Sequence, residues 1–295
     1  MTQLRALCRR NCKLFFKDKG MFITSLITPM ILLVLYISFL GKVYRDAFAS
    51  TMPAGFLIDS SVIDGMVGGQ LLSSLLAVCC VTVSFCSNLL MVQDKVTGAR
   101  LDLDVSPVSS QILALSYFLS TFAVTTFICL LALGAGLIYL AVVGWYLRLG
   151  DILLLLCDVI VTVLFGTALS SMINSRLSTN GQASAVGTIV SSGYGFICGA
   201  YMPISNFGEG LQKVISFLPG TYGTSLFRNH AMAGSFAEMA RLGLPAEVIS
   251  SIRDAVDCNL YFFGEQVSMG AMWAIMLLTV AILTGIYVLM CRKSH

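Results

Sequence analysis

The residues that could do chemistry gather in one polar stretch, Asp94 to Ser110. It reads Asp94-Lys95-Val96-Thr97-Gly98-Ala99-Arg100-Leu101-Asp102-Leu103-Asp104-Val105-Ser106-Pro107-Val108-Ser109-Ser110, with five charged side chains. Apolar runs long enough to cross a bilayer flank it on both sides, so it forms a polar elbow between buried segments. Asp94 and Thr97 can open a helical turn and Pro107 stops one. An ordered polar elbow offers a surface to a partner; without one it is a solvated connector. Elsewhere, Asp158 is the one ionisable residue inside an apolar run, and an intramembrane carboxyl marks a candidate site. It would either make a structural polar contact or line a cavity.

Other chemistries are excluded by what the chain lacks. No Walker A sequence is present to cradle nucleotide phosphates, and there is no Gly-x-Ser-x-Gly elbow. The two histidines, His230 and His295, have no metal-ligand companion in sequence. Most of the ten cysteines lie in or at the end of apolar runs, where a thiol is a small hydrophobe. Cys8 and Cys12 have no second pair to complete a zinc site. No disulfide framework and no metal site are expected. The elbow carboxylates weakly resemble the Asp/Gly/Arg clusters of membrane alcohol-phosphatidyltransferases, but their spacing and the missing downstream carboxylates argue against that enzyme.

The elements that must hold these residues are membrane helices. Of 295 residues, 57% are hydrophobic and 11% charged, against about 25% charged in soluble domains. The mean hydropathy is +0.87. The expected fold is an all-α polytopic membrane protein with six transmembrane helices. A net charge of +3 gives no reason to expect nucleic acid. Residues 1–20 read as an amphipathic interfacial helix: Leu4, Leu7, Cys8, Cys12, Leu14 and Phe15 fall on one side, and Arg5, Arg9, Arg10, Lys13 and Lys17 on the other.

Residues 21–295 then form the six-span domain. The spans are Met21–Gly41, containing Pro29; Gly65–Gln93, rich in small residues that let helices approach closely; Gln111–Val143; Ile152–Ile173; Gln182–Tyr201; and Gln266–Cys291. Residues 42–64 are a polar connection with Pro53 and Gly55 as breakers. The polar elbow spans 94–110. Residues 202–265 form an outer region: two short re-entrant helices broken by Pro203, Gly208, Gly210, Pro219, Gly220 and Gly223, then a small helical cap before the last span. Lysines and arginines concentrate on the side of the N-terminus, so both termini and the elbow are expected in the cytoplasm.

Three segments, in order along the chain, resemble the permease subunit of type-2 ABC transporters, the group containing polysaccharide, teichoic-acid and drug exporters. They are the basic helix before the first span; Asp94-Lys95-Val96-Thr97-Gly98-Ala99-Arg100 followed by Val105-Ser106-Pro107-Val108-Ser109; and Gly199 to Phe207, Leu211-Gln212 and Phe217-Leu218-Pro219-Gly220-Thr221-Tyr222. Asp94 stands where Glu is usual and Ala99 where Thr is usual.

The resemblance implies an exporter subunit in the cell (inner) membrane of a bacterium that is not itself an enzyme. It pairs with a second permease, identical or related, and with cytoplasmic ABC ATPases that bind ATP-Mg; the chain itself binds no cofactor. Asp94, Lys95, Gly98, Arg100 and Asp102 would couple to the ATPase. Pro203, Asn206, Pro219 and Tyr222 would form the outer gate, where the residue types also fit plain turn chemistry. The cargo would be amphipathic: lipidic, drug-like or peptide. The alternative is an ion-coupled carrier centred on Asp158.

Overall fold

The computed structural model describes residues 2–51 and 59–293. One helix organises it. α4 (Ser60–Asn88) is buried on nearly every side, because its Gly, Ser and Ala positions admit neighbours from all directions. Around it stand α2 (Lys19–Leu35), α7 (Ser110–Val143), α8 (Leu149–Asn174) and α11 (Pro219–Ala231), with α9 (Asn180–Ile197) on one flank. α8 approaches α4 closely at Gly166, where an added Cβ would lie 2.6 Å from the Cys80 carbonyl oxygen. α14 (Met269–Lys293) packs on α8 and α11 and leaves most of its surface exposed.

Among the described residues, five helical stretches are long and apolar enough to cross a membrane: Lys19–Asp46, Ser60–Val96, Ser110–Val143, Leu149–Asn174 and Met269–Cys291. The sequence predicts α9 as another. It spans 18 residues, and its Asn, Gln, Ser, Thr and Gly content keeps it out of this group.

Several boundaries differ from the sequence reading. The first span does not stop at Gly41. It passes through Pro29 unbroken, takes a π-helical turn at Tyr36–Leu40 and continues as α3 (Gly41–Thr51). Tyr36 donates its hydroxyl to the Val67 carbonyl and stacks on Tyr44, which stacks on Phe48. This apolar seam continues the helix into a stretch that reads as a polar connection by composition. Pro53 and Gly55 lie outside the described residues.

At the elbow, α5 (Leu90–Val96) extends α4 after a slight break at Leu89, and α6 (Ala99–Val105) precedes Pro107. At the opposite end, α10 (Glu209–Ile215) follows a 3-10 turn at Ile204–Asn206. α11 follows, buried almost throughout. The cap is α12 (Ala233–Arg241) and α13 (Ala246–Ala255), closed by a hairpin of β1 (Leu260–Phe262) and β2 (Glu265–Val267). By its sequence the cap is a small helical one, with one clear amphipathic piece, and the last span begins at Gln266. Instead Phe263 and Gly264, at φ +50° and +91°, turn the chain back on itself, and the helix begins at Met269.

Candidate functional site

The elbow is built from four elements. α5 carries Asp94 and Lys95 on its last turn, toward the bundle. Gly98 then adopts φ +82°, a left-handed conformation that costs a residue with a Cβ about 1 kcal/mol or more, and α6 starts in a new direction. Ser109 caps α7, its hydroxyl accepting from the Ile112 amide at 3.4 Å.

Asp94 is only 4% exposed. Its carboxylate accepts from both Arg10 guanidinium nitrogens, at 2.7 and 2.9 Å, and from the Tyr117 hydroxyl at 2.5 Å. One side chain thus fastens the N-terminal helix α1 (Thr2–Lys17), the elbow and α7. The fork-on-carboxylate geometry is the strong form of this contact. Hydrogen bonding to Asp94 outweighs burial and pushes the Arg10 guanidinium above its ordinary range. Asn11, the next residue, accepts from Arg10 at 3.0 Å and donates to the Ser116 hydroxyl at 3.4 Å. Lys95 reaches the other way: its ammonium donates to the Ser175 and Leu177 carbonyls at 2.5 and 2.9 Å, past the end of α8. A cation at a helix C-terminus satisfies carbonyls that no amide can reach.

On α6 the guanidinium of Arg100 holds Asp104 one turn on, at 3.0 and 3.1 Å. Leu103 packs inward against the bundle. The outer face carries Asp102 and two apolar residues one turn apart, Leu101 and Val105, 69% and 89% exposed. Of the five expected coupling residues, then, Asp94 and Lys95 turn inward and fasten the elbow, Gly98 shapes it, Arg100 braces it, and Asp102 lies on its free face. Arg10, Tyr117, Leu101 and Val105 are not singled out by sequence. Arg10 reads as part of a solvated basic face, although its spacing from Asn11 and Leu7 already places it at the edge of the packed side.

α1 itself presents Leu7, Asn11 and Phe15 to the bundle, where all three are buried, and leaves Arg5, Arg9, Lys13 and Lys17 exposed. The expected amphipathic division is present; its apolar side packs mainly on α7.

The opposite end holds a second set of buried polar groups. Asp158 pairs with His230 of α11, Nδ1 to Oδ2 at 2.5 Å, and its Oδ1 has no partner among the described residues. The carboxyl is enclosed, which favours the structural-contact reading. Near it on α11, Arg228 donates to Asp257 at 2.8 Å and to the Gly199 carbonyl at 2.5 Å. With its amide oriented to satisfy both partners, Gln70 of α4 accepts from the same guanidinium. Asp257 also accepts from the Ile204 amide at 2.9 Å; burial pushes its carboxyl up, and Arg228 pulls it the other way.

The four expected gate residues lie at the 3-10 turn and at the start of α11. Pro203 precedes the 3-10 turn and its carbonyl accepts from the Asn206 amide, while Pro219 occupies the first turn of α11. Tyr222 donates to the Ser216 carbonyl at 2.6 Å, which fastens the start of α11 to the end of α10.

Residues 2–231 match the family described as ABC-2 type transporter. The chain belongs to that family. No curated protein matches it. The matched region takes in α1, the elbow and α11 with its His230 contact, and ends before Asp257. An ABC-2 chain is a membrane transport component rather than a catalytic one, and such chains work with ABC ATPases. With five apolar helices of spanning length, this one is an integral membrane protein.

Proposed function

We propose that this chain is the membrane permease of an ATP-driven exporter, and that the elbow is where an ATPase pushes on it. One observation carries the reading: α6 is a short helix with a free apolar-and-acidic face, and the turn of α5 just before it is fastened to α1 and α7 by Asp94 and to the end of α8 by Lys95. A displacement applied to that face reaches α1, α7 and α8 together as a rigid-body shift. The ATPase is a separate cytoplasmic chain holding ATP-Mg. The elbow, α1 and both termini then face the cytoplasm, α9 completes six spans, and α10 and α11 dip into the membrane from the outer side.

A second permease subunit, identical or related, closes the transport path. A groove of about 580 Å³ runs between α2 and α9, lined by Thr24, Thr28, Ser184, Thr188, Ser191 and Ser192 together with aliphatic side chains. It is open on one side and suits an amphipathic cargo: lipidic, drug-like or peptide. Pro203, Asn206, Pro219 and Tyr222 form the outer end of that path.

The test is co-purification with the ATPase and stimulation of its ATP hydrolysis, comparing wild type with Leu101→Asp/Val105→Asp. The double variant should fold normally, bind ATPase weakly and lose stimulation by about tenfold, as expected when the apolar centre of an interface is removed. Unchanged binding and stimulation would refute the role of the elbow.

A further inference from the structure

The cap hairpin ends in a cluster of exposed phenylalanines. Phe217, Phe262 and Phe263 meet edge to face, with centroids 5.2, 5.9 and 4.9 Å apart, and Phe217 and Phe263 are 62% and 68% exposed. Phe263 sits at φ +50°, a conformation suited to Gly or Asn.

The location fixes what it can touch. Phe217 lies just before Pro219, where α11 begins. The first turns of α11 lie deep: a Cβ on Gly223 would contact Met276 of α14 and Thr162 of α8. Met276 is seven residues into its helix, roughly 10 Å from the start at 1.5 Å per residue. The hairpin joins α14 through Ser268 alone, and its tip reaches back to Phe217. The cluster therefore lies at the depth of the first turns of a spanning helix.

Behind the cluster is a cavity of about 700 Å³ between α10, the start of α11 and the hairpin, with Glu209, Lys213, Tyr222, Asp254, Tyr261 and Phe263 in its wall. Among the described residues, Glu209, Lys213 and Asp254 form no ion pair. The Asp254 carboxylate accepts, among the described residues, only from the neutral Asn259 amide, at 2.8 Å, and the Tyr261 hydroxyl, at 3.0 Å. Two carboxylates and one ammonium are thus available in a cleft whose rim is aromatic and whose depth is that of a bilayer interface.

We propose that this cleft binds a phospholipid carrying a primary amine, from the leaflet at the cap end. The lipid ammonium lies between Asp254 and Glu209, the phosphate meets Lys213, and the acyl chains lie on Phe217, Phe262 and Phe263. Tyrosine and phenylalanine at such a boundary present an apolar body to the chains. The site needs no ATPase and no transport, so it stands apart from the exporter reading, and either can fail alone.

The experiment uses the full chain with Trp145→Phe and Trp273→Phe, and with Phe263→Trp supplying the single indole fluorophore. It is reconstituted in phosphatidylcholine vesicles containing an equal fraction of acyl-brominated phosphatidylethanolamine or phosphatidylglycerol. Brominated phosphatidylethanolamine should quench the indole emission with about three- to fivefold higher apparent affinity than the glycerol lipid, the scale of half-exposed ion pairs. Lys213→Ala/Asp254→Asn should abolish that preference and leave the residual quenching. A Phe217→Trp reporter on the same tryptophan-free background should behave alike. Equal quenching by both lipids overturns the headgroup assignment. No quenching by either, with Phe263→Cys forming disulfides between copies, shows that a second protein covers the cluster and overturns the proposal.

Discussion

Removing the Arg10 guanidinium should release α1 from the elbow. The side chain makes two charge-assisted hydrogen bonds to a carboxylate that is only 4% exposed. Bonds of this type contribute about 1.5–3 kcal/mol each when buried. Arg10 is itself 31% exposed in its side chain, so water recovers part of that loss, and the Tyr117 hydroxyl stays on Asp94. The net cost of Arg10→Ala is about 2 kcal/mol, localised to the contact of α1 with the elbow. That corresponds to roughly a thirtyfold rise in the open population of α1. Arg10→Lys keeps the charge but not the fork and should cost about half as much.

Hydrogen–deuterium exchange of the α1 amides in detergent reads the opening directly. A double-mutant cycle of Arg10→Ala with Asp94→Ala isolates the pair, with an expected coupling of about 2 kcal/mol and exchange in α9 and α14 unchanged. A coupling below about 0.3 kcal/mol, or α1 exchange equal to wild type, would refute the claim that Asp94 holds these elements together. The same variants should bind ATPase through the intact Leu101–Val105 face yet transmit less stimulation.

Other outcomes follow from single contacts. Gly166→Ala places a methyl against the Cys80 carbonyl and should cost about 1–3 kcal/mol by forcing α4 and α8 apart, read as a lower midpoint in thermal denaturation; Gly181→Ala, with open space around it, is the control. His230→Ala strips the partner from an enclosed Asp158 carboxyl and should cost about 1–3 kcal/mol, partly restored by adding Asp158→Leu; failure of that second change to restore stability would argue for a role beyond the contact. Burial pushes the Cys258 thiol up to about 12, so the native chain should resist maleimide at Cys258 across mildly alkaline pH and react once unfolded, as peptide mapping by mass spectrometry would show.

The membrane class, the order of the helices and the position of the elbow are legible in the sequence because each follows from a local property: a run of apolar residues, a cluster of charges, a proline. The small-residue content of the second apolar run likewise points to the helix at the centre of the bundle, since glycine and serine leave room that lipid does not need. The limits of local reading show at particular residues. Asp94 is polar in composition and buried in fact, because Arg10 and Tyr117 converge on it from 84 and 23 positions away. Asp158 finds its partner in a histidine 72 residues on. Gly41 to Thr51 stays helical because Tyr36, Tyr44 and Phe48 share one seam. A charged side chain reads the same in sequence whether it faces water or an opposite charge. Which of the two it meets depends on how distant segments pack, and that packing turns the elbow from a polar connector into a clamped lever.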